Sequence, residues 1–280
     1  MTARDDSTRI YRIDGPACIS FSGGRTSAYM LRMILDAHGG SLPDDVRVVF
    51  ANTGKEMPQT LDFVRECCDR WGVEIVWLEY RPGRSFAVID HATASRAGEP
   101  LAAVIADRSF LPNPVARFCT VETKILTIAR YLWSQGWDEW DSVIGFRADE
   151  PSRVAGLAAN PSGGTRGVTR IAPLARAGVT ASDVSAFWSS QPFDLALPNF
   201  NGRTLHGNCD LCFLKSADQV LSLIREEPAR ATWWIEQERR IGGTFRSDRP
   251  SYARMLHMAQ THGELFAFGD SSLDDCACTE

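Results

Sequence analysis

The chain has 280 residues, 44% of them hydrophobic, and a formal net charge of −5. That length and apolar content suffice for one sizeable core with a small appended domain and exclude disorder of the whole chain. The negative balance excludes a global attraction to nucleic acid or an anionic membrane, so only a local basic cleft would draw either, and small anions are the ligands easiest to defend. No apolar run approaches the roughly 20 residues that span a bilayer. The start, Met1-Thr2-Ala3-Arg4-Asp5-Asp6, has no apolar signal core. The expectation is a soluble, cytoplasmic protein with no membrane partner.

In chain order, the apolar run Ala17 to Phe21 reads as a strand, Ser22-Gly23-Gly24 as a tight turn, and Thr26 to Ala37 as a helix with apolar spacing at Tyr29, Met30, Met33 and Ile34. Val46 to Ala51 is a second strand, Pro58 to Trp71 a helix opened by proline, and Glu74 to Tyr80 a third strand. This alternation predicts a parallel sheet with helices on its faces. Arg81 to Phe118 is proline-rich around one apolar segment, Leu101 to Ile105, and reads as a lid or insertion. Glu122 to Trp133 is helical in pattern, and Asp141 to Phe146 is a further strand. Beyond Asn160 the pattern is mainly helical, with segments at Ala181 to Ser190, Ser216 to Glu226, Ala229 to Arg240 and Tyr252 to Thr261. The expected organisation is an α/β nucleotide-binding domain over residues 1–158 and a mainly helical region over 159–280.

A Gly-Gly pair between strand and helix lets the backbone approach an anion closely, where the helix offers unpaired N–H groups and the positive end of its dipole. Ser22, Thr26 and Ser27 would add hydroxyl donors, and Arg25 charge. Taken alone the tripeptide fits an ordinary turn equally well. Its place, after the first strand of an α/β pattern, is where an open sheet binds ligands.

Eight cysteines in 280 residues are too sparse for a disulfide scaffold. Cys18, Cys67 and Cys68 lie in strand and helix patterns and read as small core residues. Cys119, the Cys209-x-x-Cys212 pair and Cys276-x-Cys278 lie among Gly, Asn, Asp and Thr. Thiolates at Cys-x-x-Cys spacing can reach one metal, and soft sulfur selects an iron–sulfur cluster or zinc. A closed zinc site needs a fourth ligand.

Phe21 to Ser27 resembles the PP-loop of the adenine nucleotide α-hydrolase superfamily, and specifically proteins similar to phosphoadenosine phosphosulfate (PAPS) reductase. Thr26 stands where that pattern has Asp, which removes a carboxylate that would serve magnesium and ATP. Asn52-Thr53-Gly54, with Pro58 and Thr60, resembles the family's Asp-Thr-Gly segment, with Asn52 for Asp. Gly145 to Arg153 resembles its Gly-x-Arg-Arg segment, with Ala148 for one Arg. Cys119 to Lys124, followed 90 residues later by Cys209 and Cys212, resembles the cluster-binding segments of iron–sulfur adenylyl sulfate reductases, with Thr120 for the second Cys and Thr123 for Arg.

The resemblance implies a doubly wound, mostly parallel α/β sheet with an appended helical region. It implies an adenine nucleotide (ATP, PAPS or adenylyl sulfate) held by Ser22, Gly23, Gly24, Arg25, Thr26, Ser27, Asn52, Thr53, Gly54, Arg147 and Arg153. It further implies a [4Fe–4S] cluster, with zinc as the alternative, on Cys119, Cys209, Cys212 and Cys278. Cys276 or Cys278, assisted by Lys124, would act on the nucleotide. The reaction implied first is sulfonucleotide reduction, with a thiol or electron donor as partner. The alternatives are ATP-dependent sulfur transfer, under which alone a nucleic acid would be an acceptor, and a non-catalytic regulator that keeps a nucleotide and a metal.

Overall fold

The computed structural model describes residues 9–200, 203–204 and 206–261. Its centre is a six-stranded sheet formed by β1 (Ala17–Ser20), β2 (Val46–Asn52), β3 (Ile75–Arg81), β4 (Ser85–Ile89), β5 (Trp140–Val143) and β6 (Val168–Ile171), in the order β4-β3-β2-β1-β5-β6. All neighbours are parallel except β3 and β4, a hairpin closed by the turn at 82–84. The chain runs outward from β1 to β3, then returns to start again at β5 on the other side of β1. That reversal is the topological switch point, and it opens a crevice at the carboxyl ends of β1 and β5.

Burial on both faces explains the nearly unbroken apolar composition of the strands. Ala17, Ile19, Val48, Phe50, Ile75 and Trp77 share one core with helices α1 (Arg25–Ala37) and α2 (Pro58–Trp71). Cys18, Val49, Val76 and Leu78 face the opposite core, against α4 (Leu126–Ser134). The two sets alternate residue by residue, as the pleat requires. Cys18 and Cys67 are buried, and burial pushes their thiols up, that of Cys18 to about 12, so both behave as core side chains.

Three features depart from the sequence expectation. The stretch 81–118, read as a lid or insertion, contains the edge strand β4 and helix α3 (Glu99–Arg108), whose Leu101 and Ile105 are buried. The helix expected from Glu122 begins at Phe118 and passes through a π-helical turn, Val121–Ile125, before α4. This turn buries three consecutive polar residues, Glu122, Thr123 and Lys124. The α/β unit also runs past residue 158. After α5 (Pro151–Ala159), β6 pairs with β5; α6 (Pro173–Arg176) and α7 (Ala181–Ser189) follow, and Leu174, Val184, Trp188, Leu195 and Leu197 join the α1/α2 core. The expected boundary therefore falls inside this unit, because an edge strand of four residues, Val168 to Ile171, carries too little pattern to be read as one.

After a two-stranded hairpin, β7 (Asn199–Phe200) and β8 (Arg203–Thr204), helices α8 (Ala217–Glu226), α9 (Ala231–Ile241) and α10 (Tyr252–Thr261) form a second core with Leu101 and Ile105 of α3. Trp234, Phe245 and Tyr252 fill it. The Tyr252 phenol, buried and driven upward in pKa by that burial, donates to the Leu211 carbonyl at 2.6 Å. Tyr252→Phe removes that donor and leaves the carbonyl unsatisfied. Urea unfolding is expected to show a loss of about 1–3 kcal/mol.

Candidate functional site

The turn after β1 is held by its own side chains. Ser27 Oγ accepts from the Ser22 amide at 3.2 Å, lies 3.0 Å from Ser22 Oγ, and donates to the Gly24 carbonyl at 3.0 Å. Gly24 is the N-cap of α1, which has no side-chain cap. The first N–H groups of the helix therefore lack an internal acceptor and face the crevice side of the sheet. The two glycines differ in purpose. Gly23 has φ +75°, and a Cβ there would lie 2.6 Å from Thr60 Cγ2 and 3.1 Å from Val64 Cγ2, inside the α2 packing. At Gly24 the nearest atom to a Cβ is Ser22 Oγ at 3.7 Å, so space is kept open there.

Arg25, expected beside the anion, is turned away from it. Its guanidinium pairs with both carboxylate oxygens of Asp194, donates to Thr204 Oγ1 at 2.8 Å and to the Leu197 carbonyl at 2.8 Å. Burial opposes ionisation of Asp194, but Arg25 holds its carboxyl below the usual range. The residue is a buried clamp. Its neighbour Thr26 accepts instead from Arg147 at 3.3 Å, which brings the segment after β5 against the turn. Glu150 accepts from the Arg147 amide at 2.9 Å and from Arg153 at 2.6 Å, while Arg153 lies over the Phe146 ring at 4.2 Å. Arg147 also pairs with Asp149 at 2.8 Å. Arg147 is thereby held against the turn after β1, and Arg153 against Glu150 and Phe146.

At the end of β2, Asn52 is fully buried and pairs in register with Glu79 of β3. Its amide donates to Glu79 Oε1 at 2.7 Å and to the Ser95 carbonyl at 2.9 Å, and its oxygen accepts from the Gly54 amide at 3.1 Å. Glu79, also fully buried, accepts further from the Ser95 amide and hydroxyl and from Arg81. The departure from Asp at residue 52 has a physical cause here, since a second carboxylate beside Glu79 would repel it. Gly54, at φ +78°, lets the loop pass Gly98 and Pro100, which a Cβ would approach to 3.0 and 2.9 Å.

Beyond Gly54 the β2 loop meets the cysteine pair. Thr53 donates its hydroxyl to Glu56 Oε2 at 2.8 Å, and the same hydroxyl lies 3.4 Å from Cys209 Sγ. Glu56 bridges Cys209 through the backbone, and the Asp210 amide donates to the Lys55 carbonyl at 2.8 Å. Asp210 accepts from Lys55 at 3.0 Å, from Trp234 Nε1 at 2.9 Å and from the Leu211 amide at 2.7 Å. Lys215 is buried and donates to the Gly207 and Cys209 carbonyls at 2.6 and 2.7 Å. It fastens the cysteine loop.

Cys119 and Cys209 are partly buried against the same helical core, and Cys212 is buried. Thr123 donates to the Cys119 carbonyl at 2.7 Å, and Lys124 is buried beside it in the π-helical turn. Among the described residues no three Cys, His, Asp or Glu side chains are grouped so as to hold a metal ion. Cys119, Cys209 and Cys212 are the described part of the ligand set expected for a cluster or zinc. Cys276 and Cys278 lie outside the described residues. Among those residues no helix is long and apolar enough to cross a membrane.

Lys55, Glu56, Glu79, Asp194 and Asp210 were not read from the sequence as site residues. Glu79 alone carries a local signal, a charge within the apolar run Ile75 to Tyr80.

Two outcomes follow from this geometry. Gly24→Ala is expected to keep the urea midpoint while weakening anion binding measured by calorimetry, whereas Gly23→Ala should cost about 2 kcal/mol or more of stability through strain and overlap. Asn52→Asp should cost about 2 kcal/mol or more at pH 7, the deficit shrinking towards about pH 4. The sign follows because two negative charges at this separation repel in the folded state, and the introduced carboxylate loses that repulsion when it is neutralised by a proton, so stability falls as pH rises. Urea titrations across that range check it.

Residues 16–190 match the phosphoadenosine phosphosulfate reductase domain. An uncharacterized nin region protein of Escherichia phage lambda, ORF290, is 28% identical over 218 residues, covering 75% of this chain and 69% of its own. Among solved structures, the U34-tRNA thiolase NcsA from Methanococcus maripaludis, with its [4Fe–4S] cluster, aligns over 99% of this chain and 86% of its own at 15% identity and a TM-score of 0.41. That likeness is too distant to bring a ligand or a residue role across. The domain match spans more than half the chain and includes both sides of the switch point, so this chain belongs to the phosphoadenosine phosphosulfate reductase domain family.

Proposed function

We propose that the protein is an adenine-nucleotide enzyme of sulfur chemistry, and that its reaction is reduction of a sulfonucleotide. The observation that carries this reading is the junction of the β2 loop with the cysteine loop, in which Thr53 lies 3.4 Å from Cys209 Sγ. A thiol and the nucleotide segment then belong to one site. The uncapped start of α1, with Ser22, Gly24, Thr26 and Ser27, receives the phosphate or sulfate, and Arg147 and Arg153 flank it. Asn52, Thr53 and Gly54 line the adenosine side.

A sulfonucleotide suits these residues better than ATP with magnesium. Position 26 is Thr, position 52 is Asn, and the carboxylates nearby are committed: Glu150 and Asp149 to arginines, Asp194 to Arg25, and Glu79 to Asn52, Ser95 and Arg81. With these carboxylates engaged, the amides and hydroxyls at the start of α1 are left to receive an oxyanion, while Glu56 Oε1 is buried without a hydrogen-bond partner among the described residues.

In the chemistry proposed, a cysteine thiolate attacks the sulfur of the sulfate ester. A sulfur–sulfur bond forms, the sulfur–oxygen bond to phosphate breaks, and the nucleotide leaves as the phosphate anion. A second thiol then attacks the cysteine sulfur of the thiosulfonate, releasing sulfite and leaving a disulfide. The two electrons come from the two thiols, and an external thiol donor restores them. Cys209 is the described thiol placed against the nucleotide segment; Cys276 and Cys278 are the candidates supplied by the sequence. No step is routed through a metal.

The test is sulfite release from adenylyl sulfate and from PAPS in the presence of a dithiol. The expected result is release from one of them and its loss in Cys209→Ser, with nucleotide affinity kept within about threefold because the thiol is not an oxyanion donor. Cys276→Ser and Cys278→Ser assign the second thiol. Pyrophosphate release from ATP without sulfite from either sulfonucleotide would replace this reading by ATP-dependent sulfur transfer. Stoichiometric iron and acid-labile sulfide in anaerobically prepared protein would restore the cluster to the mechanism.

A further inference from the structure

The surface around the loop that joins α3 to the Cys119 helix combines features the reaction above does not use. Val115 is 96% exposed, yet it does not sit on a loose loop. Asn113 Oδ1 accepts from the Val115 and Ala116 amides at 3.0 and 2.9 Å, the Asn113 amide donates to the Ala116 carbonyl at 3.3 Å, and Pro112 and Pro114 stiffen the chain on either side. The turn holds an apolar side chain out in water.

Beside it, Phe110 is 42% exposed and stands edge-on to Phe118 at 4.6 Å, and Val121 is 40% exposed. Single exposed apolar residues are ordinary; here Phe110, Val115 and Val121 fall within twelve residues of chain, and Phe110 packs on Phe118, one helical turn before Val121.

Arginines accompany these residues. Arg108 lies over Phe118 at 5.9 Å and pairs with Glu122, which Arg130 also holds at 3.0 Å. Burial opposes ionisation of Glu122, but these two arginines hold its carboxyl below the usual range. Arg84 and Arg117 are exposed and form no ion pair among the described residues. Continuity between them runs through Tyr80, which packs with Phe118, bonds Asp107 and is reached by the Arg84 backbone. With Arg130 taken up by Glu122, Arg84, Arg108 and Arg117 are the arginines this segment and its neighbouring hairpin offer to solvent, in a chain whose net charge is −5.

We propose that this face binds single-stranded nucleic acid. An exposed phenyl ring accepts a base by stacking, and guanidiniums both pair with phosphates and stack on bases, a combination that a flexible strand with open base faces satisfies and a duplex does not. The negative charge of the remaining surface confines such a strand to this face. The inference rests on surface charge and exposure and is independent of the reaction proposed above.

The experiment is fluorescence anisotropy of labelled 20-nucleotide single strands, one DNA and one RNA, of mixed sequence, with the full chain from 50 to 200 mM salt. Saturable binding is expected for at least one of them, tighter than for the matching duplex, and comparison of the two arms identifies the sugar preferred. Arg84→Gln with Arg117→Gln should lower the slope of log affinity against log salt by about 1.4, at roughly 0.7 per lost phosphate contact. Phe110→Ala should weaken binding about tenfold. Arg32→Gln on the exposed side of α1 should change neither, and far-ultraviolet circular dichroism confirms that each variant is folded. No binding by the wild type at 50 mM salt, equal affinity for duplex, or binding insensitive to Arg84, Arg117 and Phe110 would each overturn the proposal. A concentration-dependent dimer abolished by Val115→Asp, without strand binding, would assign the face to a second copy of the chain instead.

Discussion

The buried carboxylate of Asp210 joins the two halves of the site. It accepts from Lys55 on the β2 loop, from Trp234 in the centre of the helical core and from the Leu211 amide, while its own amide donates to the Lys55 carbonyl. A buried ion pair contributes little net stability once desolvation is counted, but breaking it leaves a charge without compensation. Its value here is positional. The sheet domain offers the end of β2, the helical region offers Cys209 and Cys212, and Asp210 fixes one against the other. Lys215 and Tyr252 complete the arrangement by taking up the Gly207, Cys209 and Leu211 carbonyls, so the cysteine loop has few backbone acceptors left to satisfy elsewhere.

Electrostatic economy also explains where the chain departs from its family's pattern. Asn52 replaces a carboxylate, and the structure supplies a carboxylate from the neighbouring strand in Glu79, fully buried and surrounded by donors. At the phosphate turn Thr26 replaces another, and its hydroxyl meets Arg147. Both substitutions replace a carboxylate by a neutral group at the turns that follow β1 and β2, and each neutral side chain is hydrogen-bonded to a charged partner, Glu79 or Arg147.

The α/β alternation was legible because each of its parallel strands up to β3 is buried on both faces and each helix carries a strong apolar stripe. The Pro58–Trp71 helix matches its expected limits, since proline starts it and Gly72 at φ +60° ends it. The turn after the first strand was legible as a Gly-Gly connection between strand and helix. What escaped was set by tertiary contact. The edge strands β4 and β6 are short and half exposed, the π-helical turn has no local sequence signal, and Arg25 has the composition of a phosphate ligand but an orientation dictated by Asp194, 169 residues away. Lys215 is the same lesson in the helical region: a cation beside a cysteine pair serves backbone carbonyls.

The Arg25 clamp has a consequence for synthesis. The amide turn it borders is complete in sequence by Ser27, but the partners that lock Arg25 stand at Asp194, Leu197 and Thr204, the last 179 residues downstream. A nascent chain elongating at about 5–20 residues per second carries this arginine unsatisfied for roughly ten to forty seconds. Contacts of such separation form late. The turn after β1 is therefore expected to acquire its final rigidity only after the chain has left the ribosome through residue 204, so a half-made chain carries that turn without its clamp.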